Sequence, residues 1–214
     1  MKQYDIITEA DARVIDYGAT VALAPGGHVT PLAQDTLRER RVTVVPAGSH
    51  DPSLPADLAP VADVRRVAIG SDHTGLALKQ DLVVFLRGQG LAVEDVGTTS
   101  HEPVDYPDIA AMVGTAVVRR EADAGIVIDG AGLGSTIAAN KVRGIRAAMA
   151  TDTTLARYAR EHNGANVLAL GATLVSPAEA REIVQTFLAT PMREARYIRR
   201  LLKIRDLERQ GGMR

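Results

Sequence analysis

The chain has 214 residues, 46% hydrophobic and only 3% aromatic, with 25 Lys+Arg against 26 Asp+Glu and neither Cys nor Trp. Without Cys it holds no disulfide framework, zinc ribbon, iron–sulfur cluster or cysteine nucleophile. The balanced charge argues against a dedicated nucleic-acid binder, and no apolar run approaches the roughly 20 residues of a membrane span.

The acidic, mixed segment 1–16 does not read as a signal peptide, so the chain is expected in the cytoplasm. Ile6–Asp11 reads as a strand end followed by a helix cap, and Val21–Ala24 as a strand. Thr30-Pro31 opens a helix to Arg41, and Val42–Val45 is a further strand. Residues 1–45 thus form a small α+β module. Residues 46–62 hold four prolines and no helical or strand period, so 46–64 is expected to be an extended linker.

From residue 65 to 214 strand and helix signals alternate. Strands are expected at Val67–Gly70, Leu91–Val96, Ala124–Ile128, Ile145–Ala150 and Val167–Leu170. The first helix carries Leu78, Leu82 and Phe85 on one face, and the second spans Tyr106–Arg120. A third lies near Ser135–Lys141, and Asp152 caps a fourth that runs to His162. Ser176-Pro177 opens a fifth to Leu188, and the last runs from Arg193 to Arg209. The fold class is therefore α/β. It is a three-layer, doubly wound, five-stranded parallel sheet of expected order 2-1-3-4-5, with the small N-terminal extension. Ligands in such sheets bind at the carboxyl ends of the strands, so chemistry is sought there.

After the first strand comes Ser71-Asp72-His73-Thr74-Gly75. His73 beside Asp72 either binds a phosphate or moves a proton, or Asp72 is a helix cap and His73 is merely exposed. After the third strand, Asp129-Gly130-Ala131-Gly132-Leu133-Gly134-Ser135 lets backbone amides approach an anion at a helix start, or is a tight turn. Its G-x-G-x-G spacing is not the dinucleotide fingerprint, and no Walker lysine follows. His162-Asn163 ends the fourth helix, where His162 favours the negative dipole end. The C-terminal stretch 193–214 holds eight basic and three acidic residues. Arg196 and Arg200 share one helix face there, either clamping a phosphate or forming part of a solvated basic helix. The histidines show no metal-ligand spacing.

In this order and spacing the motifs resemble the ribose-5-phosphate isomerase B family, which includes the galactose-6-phosphate isomerase subunits. The resemblance covers Val67 to about Ile204. It is carried by Ile69–Gly75, Val104-Asp105-Tyr106-Pro107-Asp108, Gly130–Gly134, Ile137–Lys141, Gly144–Ala147, Ala159–Asn163 and Arg196-x-x-x-Arg200. It implies an aldose–ketose isomerase of a small phosphorylated sugar of four to six carbons, with no metal and no organic cofactor. By resemblance, Asp72 and His162 assist ring opening or bind hydroxyls, and His73, Arg196 and Arg200 bind the phosphate. Tyr106 and Asn140 line the pocket, the loop from Gly130 through Gly132 to Gly134 holds the enediolate oxygen, and Ser135 and Asn163 are further candidates for binding the substrate. The resemblance also implies a homodimer or homotetramer whose sites take residues from a neighbouring subunit.

Two departures stand out. Many members carry a Cys base where this chain has Asp129, and others a Glu where it has Ser135. A Thr or Ser common two positions after that Cys is Ala131 here. Asp129 is then the expected substitute base, or Asp72 takes over that role, or the substrate is an unusual one. The rival reading is a non-catalytic sugar-phosphate-binding or scaffold protein of the same fold. Finally, Ile7–Asp11 and Val29–Asp35 resemble a short module on proteins associated with bacterial microcompartments, which would make residues 1–45 a docking element and place the chain inside such a compartment.

Overall fold

The computed structural model describes residues 2–46, 58–192 and 195–211, with the side chains of 195, 196 and 211 not described. The chain divides into two compact units, Met1–Asp57 with Arg193–Arg200, and Leu58–Met192 with Leu201–Arg214.

The first unit contains β1 (Gln3–Ile7), α1 (Glu9–Val14), β2 (Thr20–Val29), α2 (Pro31–Glu39) and β3 (Thr43–Pro46), in a parallel sheet of order β1-β2-β3. Thr8 and Asp11 form a reciprocal capping box on α1, and the Thr30 hydroxyl accepts from Ala33 N with Pro31 in the first turn of α2. Ile7, Ala12, Ile15, Val21, Ala33 and Leu37 form its core. β2 runs five residues beyond the expected Ala24. Tyr4 pairs with Leu23 but Ile6 with His28, so Ala24–Gly27 is accommodated as a bulge, and Gly26 supplies its positive φ of 77°.

The second unit contains β4 (Arg66–Ser71), α3 (Leu76–Gly88), β5 (Ala92–Asp95), α4 (Tyr106–Val118), β6 (Ala124–Asp129) and α5 (Leu133–Ala139). Then follow β7 (Ala147–Met149), α6 (Thr153–Glu161), β8 (Val167–Gly171) and α7 (Pro177–Ala189), and α8 spans Ala195–Gly211. All five strands are parallel. Residues alternate between the two faces of the sheet. Ile69, Ile126, Ile128, Leu168 and Leu170 pack with Leu82, Ala156, Ile183 and Phe187, whereas Ala68, Val127 and Ala169 pack with Ile109, Val113 and Ala139. The result is a three-layer α/β unit.

The strand order is β5-β4-β6-β8-β7, or 2-1-3-5-4 within this sheet, which corrects the expected 2-1-3-4-5. The reason is burial. β8 (VLALG) is buried at every position and suits the interior, whereas β7 (AAM) is three residues long and half-buried throughout, which suits an edge.

The unit also begins earlier than residue 65. Arg160, fully buried, donates to Val61 O (2.7 Å) and Ala165 O (3.0 Å) and lies over the Phe187 ring at 5.0 Å. Arg146 donates to Leu58 O at 3.0 Å. These guanidiniums tie the segment from Leu58 onward to the sheet domain. Burial, with Arg146 adding like charge, holds the Arg160 guanidinium down at about 10.

At the opposite end of the sheet from the strand carboxyl ends, Asp123 Oδ2 accepts from Arg65 N (2.9 Å) and Arg66 N (2.8 Å), and its Oδ1 from the Arg66 guanidinium (2.7 Å). Burial opposes ionisation there, but the Arg66 guanidinium and the two amides outweigh it and hold the carboxyl below its ordinary value. A depressed carboxyl stabilises the fold above its unfolded pKa, and that stability is lost as pH falls through the lower folded value. Asp123→Asn should therefore lower Tm at pH 7, with the deficit shrinking below about pH 4. Thermal melts at pH 7 and pH 3 check this, and a deficit equal at both pH values would contradict it.

Candidate active site

β4, β6 and β8 are neighbours, with Ser71 opposite Ile128 and Asp129 opposite Gly171, so the loops leaving them lie side by side. In the first, Asp72 Oδ1 accepts from Thr74 N (2.9 Å), Thr74 Oγ1 (2.6 Å) and Gly75 N (3.1 Å). This is a self-capped turn, and Asp72 Oδ2 has no hydrogen-bond partner among the described residues. His73 Nδ1 accepts from Val104 N at 3.4 Å, which leaves Nε2 for a ligand. Val104 belongs to the connection that delivers Tyr106 to the start of α4.

The second loop begins at Asp129, which is only 5% exposed. Its Oδ1 accepts from Ala131 N (2.8 Å) and, closely, from Gly132 N, and its Oδ2 accepts from Ser135 N (2.8 Å). The loop amides expected to meet a ligand oxygen are therefore partly taken by the chain's own carboxylate. Among the first-turn amides of α5, those of Leu133 and Gly134 have no described side-chain partner. Gly132 has φ +76°, and a Cβ there would stand 2.9 Å from Leu170 C and 3.0 Å from Gly171 N. Only glycine closes this turn against β8. Gly134 faces Tyr106, since a Cβ at 134 would meet the ring at 2.6 Å. The Gly-rich loop and the tyrosine are thus in direct apposition. The Ser135 hydroxyl is buried with no partner among the described residues, as is that of Ser71.

The third loop contributes a residue the sequence reading missed. Thr173 donates from both N (3.0 Å) and Oγ1 (2.7 Å) to Gly130 O, and so fixes the Gly-rich loop from β8. Its position two residues past the last inner strand is the signal that could have found it.

The structure thus brings Asp72, His73, Tyr106, Asp129, Gly130, Gly132, Gly134 and Ser135 to one mouth. Asn140 is occupied elsewhere. Its Nδ2 donates to Thr136 O and Ala147 O, each at 2.9 Å, and its Oδ1 accepts from Ala147 N, tying α5 to β7. Asn163 donates to Tyr158 O at 3.0 Å. The His162 ring stacks on Tyr158 at 4.6 Å with Glu161 3.9 Å away. Asn140 and Asn163 line a separate cleft of about 340 Å³ at the β7 edge, with Arg146, Ile204, Leu207 and Glu208. The Arg196 side chain lies outside the described residues, and the Arg200 guanidinium lies 5.5 Å from the Tyr197 ring. Among the described residues no group of three or more His, Asp or Glu is placed to hold a metal, and no helix is long and apolar enough to cross a membrane.

A family model described as Ribose/Galactose Isomerase matches residues 67–204. The ribose-5-phosphate isomerase B of Escherichia coli is 40% identical over 147 residues, 69% of this chain and 99% of that protein. A putative sugar phosphate isomerase of Bacillus subtilis is 41% identical over 147 residues, 68% of this chain and 99% of its own. Among solved structures, the ribose-5-phosphate isomerase B of Clostridium thermocellum superposes with a TM-score of 0.67 at 48% identity, covering 68% of this chain and 98% of that one. That of Mycoplasma genitalium, with bound ribulose-5-phosphate, superposes with a TM-score of 0.65 at 38% identity, covering 67% and 96%. These relatives are matched over nearly their whole length by the sheet domain that holds the mouth just described, and on that ground the chain belongs to the ribose/galactose isomerase family.

Proposed function

We propose that the chain is a sugar-phosphate isomerase that interconverts an aldose and a ketose phosphate through an enediolate, with Asp129 as the base. The observation that carries this reading is the buried Asp129 carboxylate at the end of the central strand, within the mouth that also holds Asp72, His73 and Tyr106. Isomerisation removes a proton from the carbon beside the carbonyl and returns it to the neighbouring carbon, while the hydroxyl proton moves between the two oxygens. Asp129 Oδ2 carries a single amide bond and retains a lone pair for that proton. The amides of Leu133 and Gly134 hold the enediolate oxygen, His73 Nε2 contributes to phosphate binding, and Asp72 Oδ2 takes a sugar hydroxyl.

His162, Asn163 and Asn140 face Tyr158 and the β7 edge instead. This supports the reading of a homodimer or homotetramer in which His162 and Asn163 complete a neighbour's site. The relatives' names point to five-carbon substrates, so ribose 5-phosphate is the first choice. A panel of four- to six-carbon aldose phosphates, followed by ketose formation, should give the highest kcat/KM with a pentose phosphate. Binding of the sugars without ketose formation would contradict this. It would instead support a sugar-phosphate-binding protein, a reading favoured by the three loop amides that Asp129 already occupies.

Residues 1–45 fold around their own core, outside the matched segment. With the resemblance of Ile7–Asp11 and Val29–Asp35, this supports a docking role inside a bacterial microcompartment. A reporter fused to residues 1–57 should then co-purify with compartment shells, and a reporter left in the soluble fraction would contradict it.

A further inference from the structure

Lys79, on α3, is 1% exposed. Its Nζ donates to Asp95 Oδ1 at 2.5 Å and to Thr98 O at 2.6 Å. Asp95 Oδ1 also accepts from Gly97 N at 3.0 Å. The backbone it fixes is bonded in both directions to the end of β4, since Ser71 N donates to Gly97 O and Thr98 N to Ser71 O, each at 2.8 Å. A few residues on, the same connection presents the Val104 amide to His73 and the Tyr106 ring to Gly134.

Lysine is almost never this buried without a partner, and removing an ammonium from water is costly. Packing alone would be served as well by an apolar side chain of similar length. What the ammonium adds is direction, because it joins a side chain of β5 and a loop carbonyl at one point behind the mouth. We propose that Lys79 is a positioning residue of the isomerase site, setting the β5–α4 connection so that His73 and Tyr106 meet the substrate. The proposal rests on the isomerase reading above.

The test is the double variant Lys79→Met, Asp95→Asn, which removes both charges together and leaves neither ion unpaired. Wild type and variant are compared by ribose 5-phosphate kinetics and by amide hydrogen exchange. A positioning role predicts that KM rises about tenfold while kcat changes less than about threefold, because groups that bind the substrate are displaced. It also predicts faster exchange at residues 96–106 with the rest of the sheet domain unchanged. A structural role alone would lower the active fraction, and so kcat, without moving KM. An unchanged KM, unchanged exchange at 96–106, or a double variant that does not fold would each overturn the proposal. A wild-type protein with no isomerase activity would sink the isomerase reading instead, and the exchange comparison would still judge the positioning claim.

Discussion

Asp129→Asn is expected to lower kcat by about a thousandfold, the usual size of a general-base contribution. The replacement is nearly isosteric but not neutral for the loop. Its amide oxygen can keep the bonds from Ala131 N and Gly132 N, while its NH2 group faces the Ser135 N–H donor. That mismatch costs about 1–2 kcal/mol of stability, so Tm is measured beside kcat. Asp129→Cys separates base from scaffold, because it puts a thiolate base, as the resemblance implies for many members, at the same strand end. Its activity should exceed that of Asp129→Asn and rise with pH toward the thiol range near about 8.5. The chain has no other cysteine, so iodoacetamide should silence this variant and leave the wild type untouched. A Cys variant no more active than the Asn variant would remove Asp129 from the role of base.

The second large effect concerns stability. Arg160→Ala leaves a cavity beside Phe187 and strips the carbonyls of Val61 and Ala165 of their donor. The expected loss is about 3 kcal/mol, or a Tm lower by about 10 °C for a chain of this size. Arg160→Met keeps the volume and no longer buries a charge, so it should lose only about 1 kcal/mol. Thermal unfolding of both variants gives the comparison. An Arg160→Ala protein within about 0.5 kcal/mol of wild type would show that the guanidinium's hydrogen bonds do no more than offset its own burial.

The fold was legible where periodicity and punctuation agree. Strands with alternating or wholly apolar patterns, Thr8, Thr30, Asp152 and Ser176 as caps, and Pro31 and Pro177 in first turns all fall where their chemistry puts them. The strand order was misjudged because a local pattern shows that a strand exists, not which neighbours it takes. The contrast that decides it emerges only in the structure, where β8 (VLALG) is buried throughout and the strand expected at Ile145–Ala150 is cut to the three residues AAM.

In the site, Asp72, His73, Asp129 and the glycines could be found because they follow strands directly. Thr173 was marked only by its place two residues past an inner strand, and Lys79 by nothing, since each meets a backbone carbonyl, 43 and 19 residues away in the chain. The Gly-rich loop carried a subtler error. A carboxylate just before a run of small residues folds back on its own amides, as Asp and Asn do in turns, so fewer donors face a ligand than the glycines suggest.

The central claim is that the carbon beside the sugar carbonyl loses its proton to this mouth. Incubation with ribose 5-phosphate in deuterium oxide, followed by proton NMR, reads that event directly. The wild type should form ribulose 5-phosphate with solvent deuterium on C1, the former aldehyde carbon, and by the reverse reaction exchange the C2 proton of the remaining ribose 5-phosphate, and Asp129→Asn should do neither at a comparable rate. Sugar phosphate that binds but keeps its proton, and never becomes the ketose, would contradict the account.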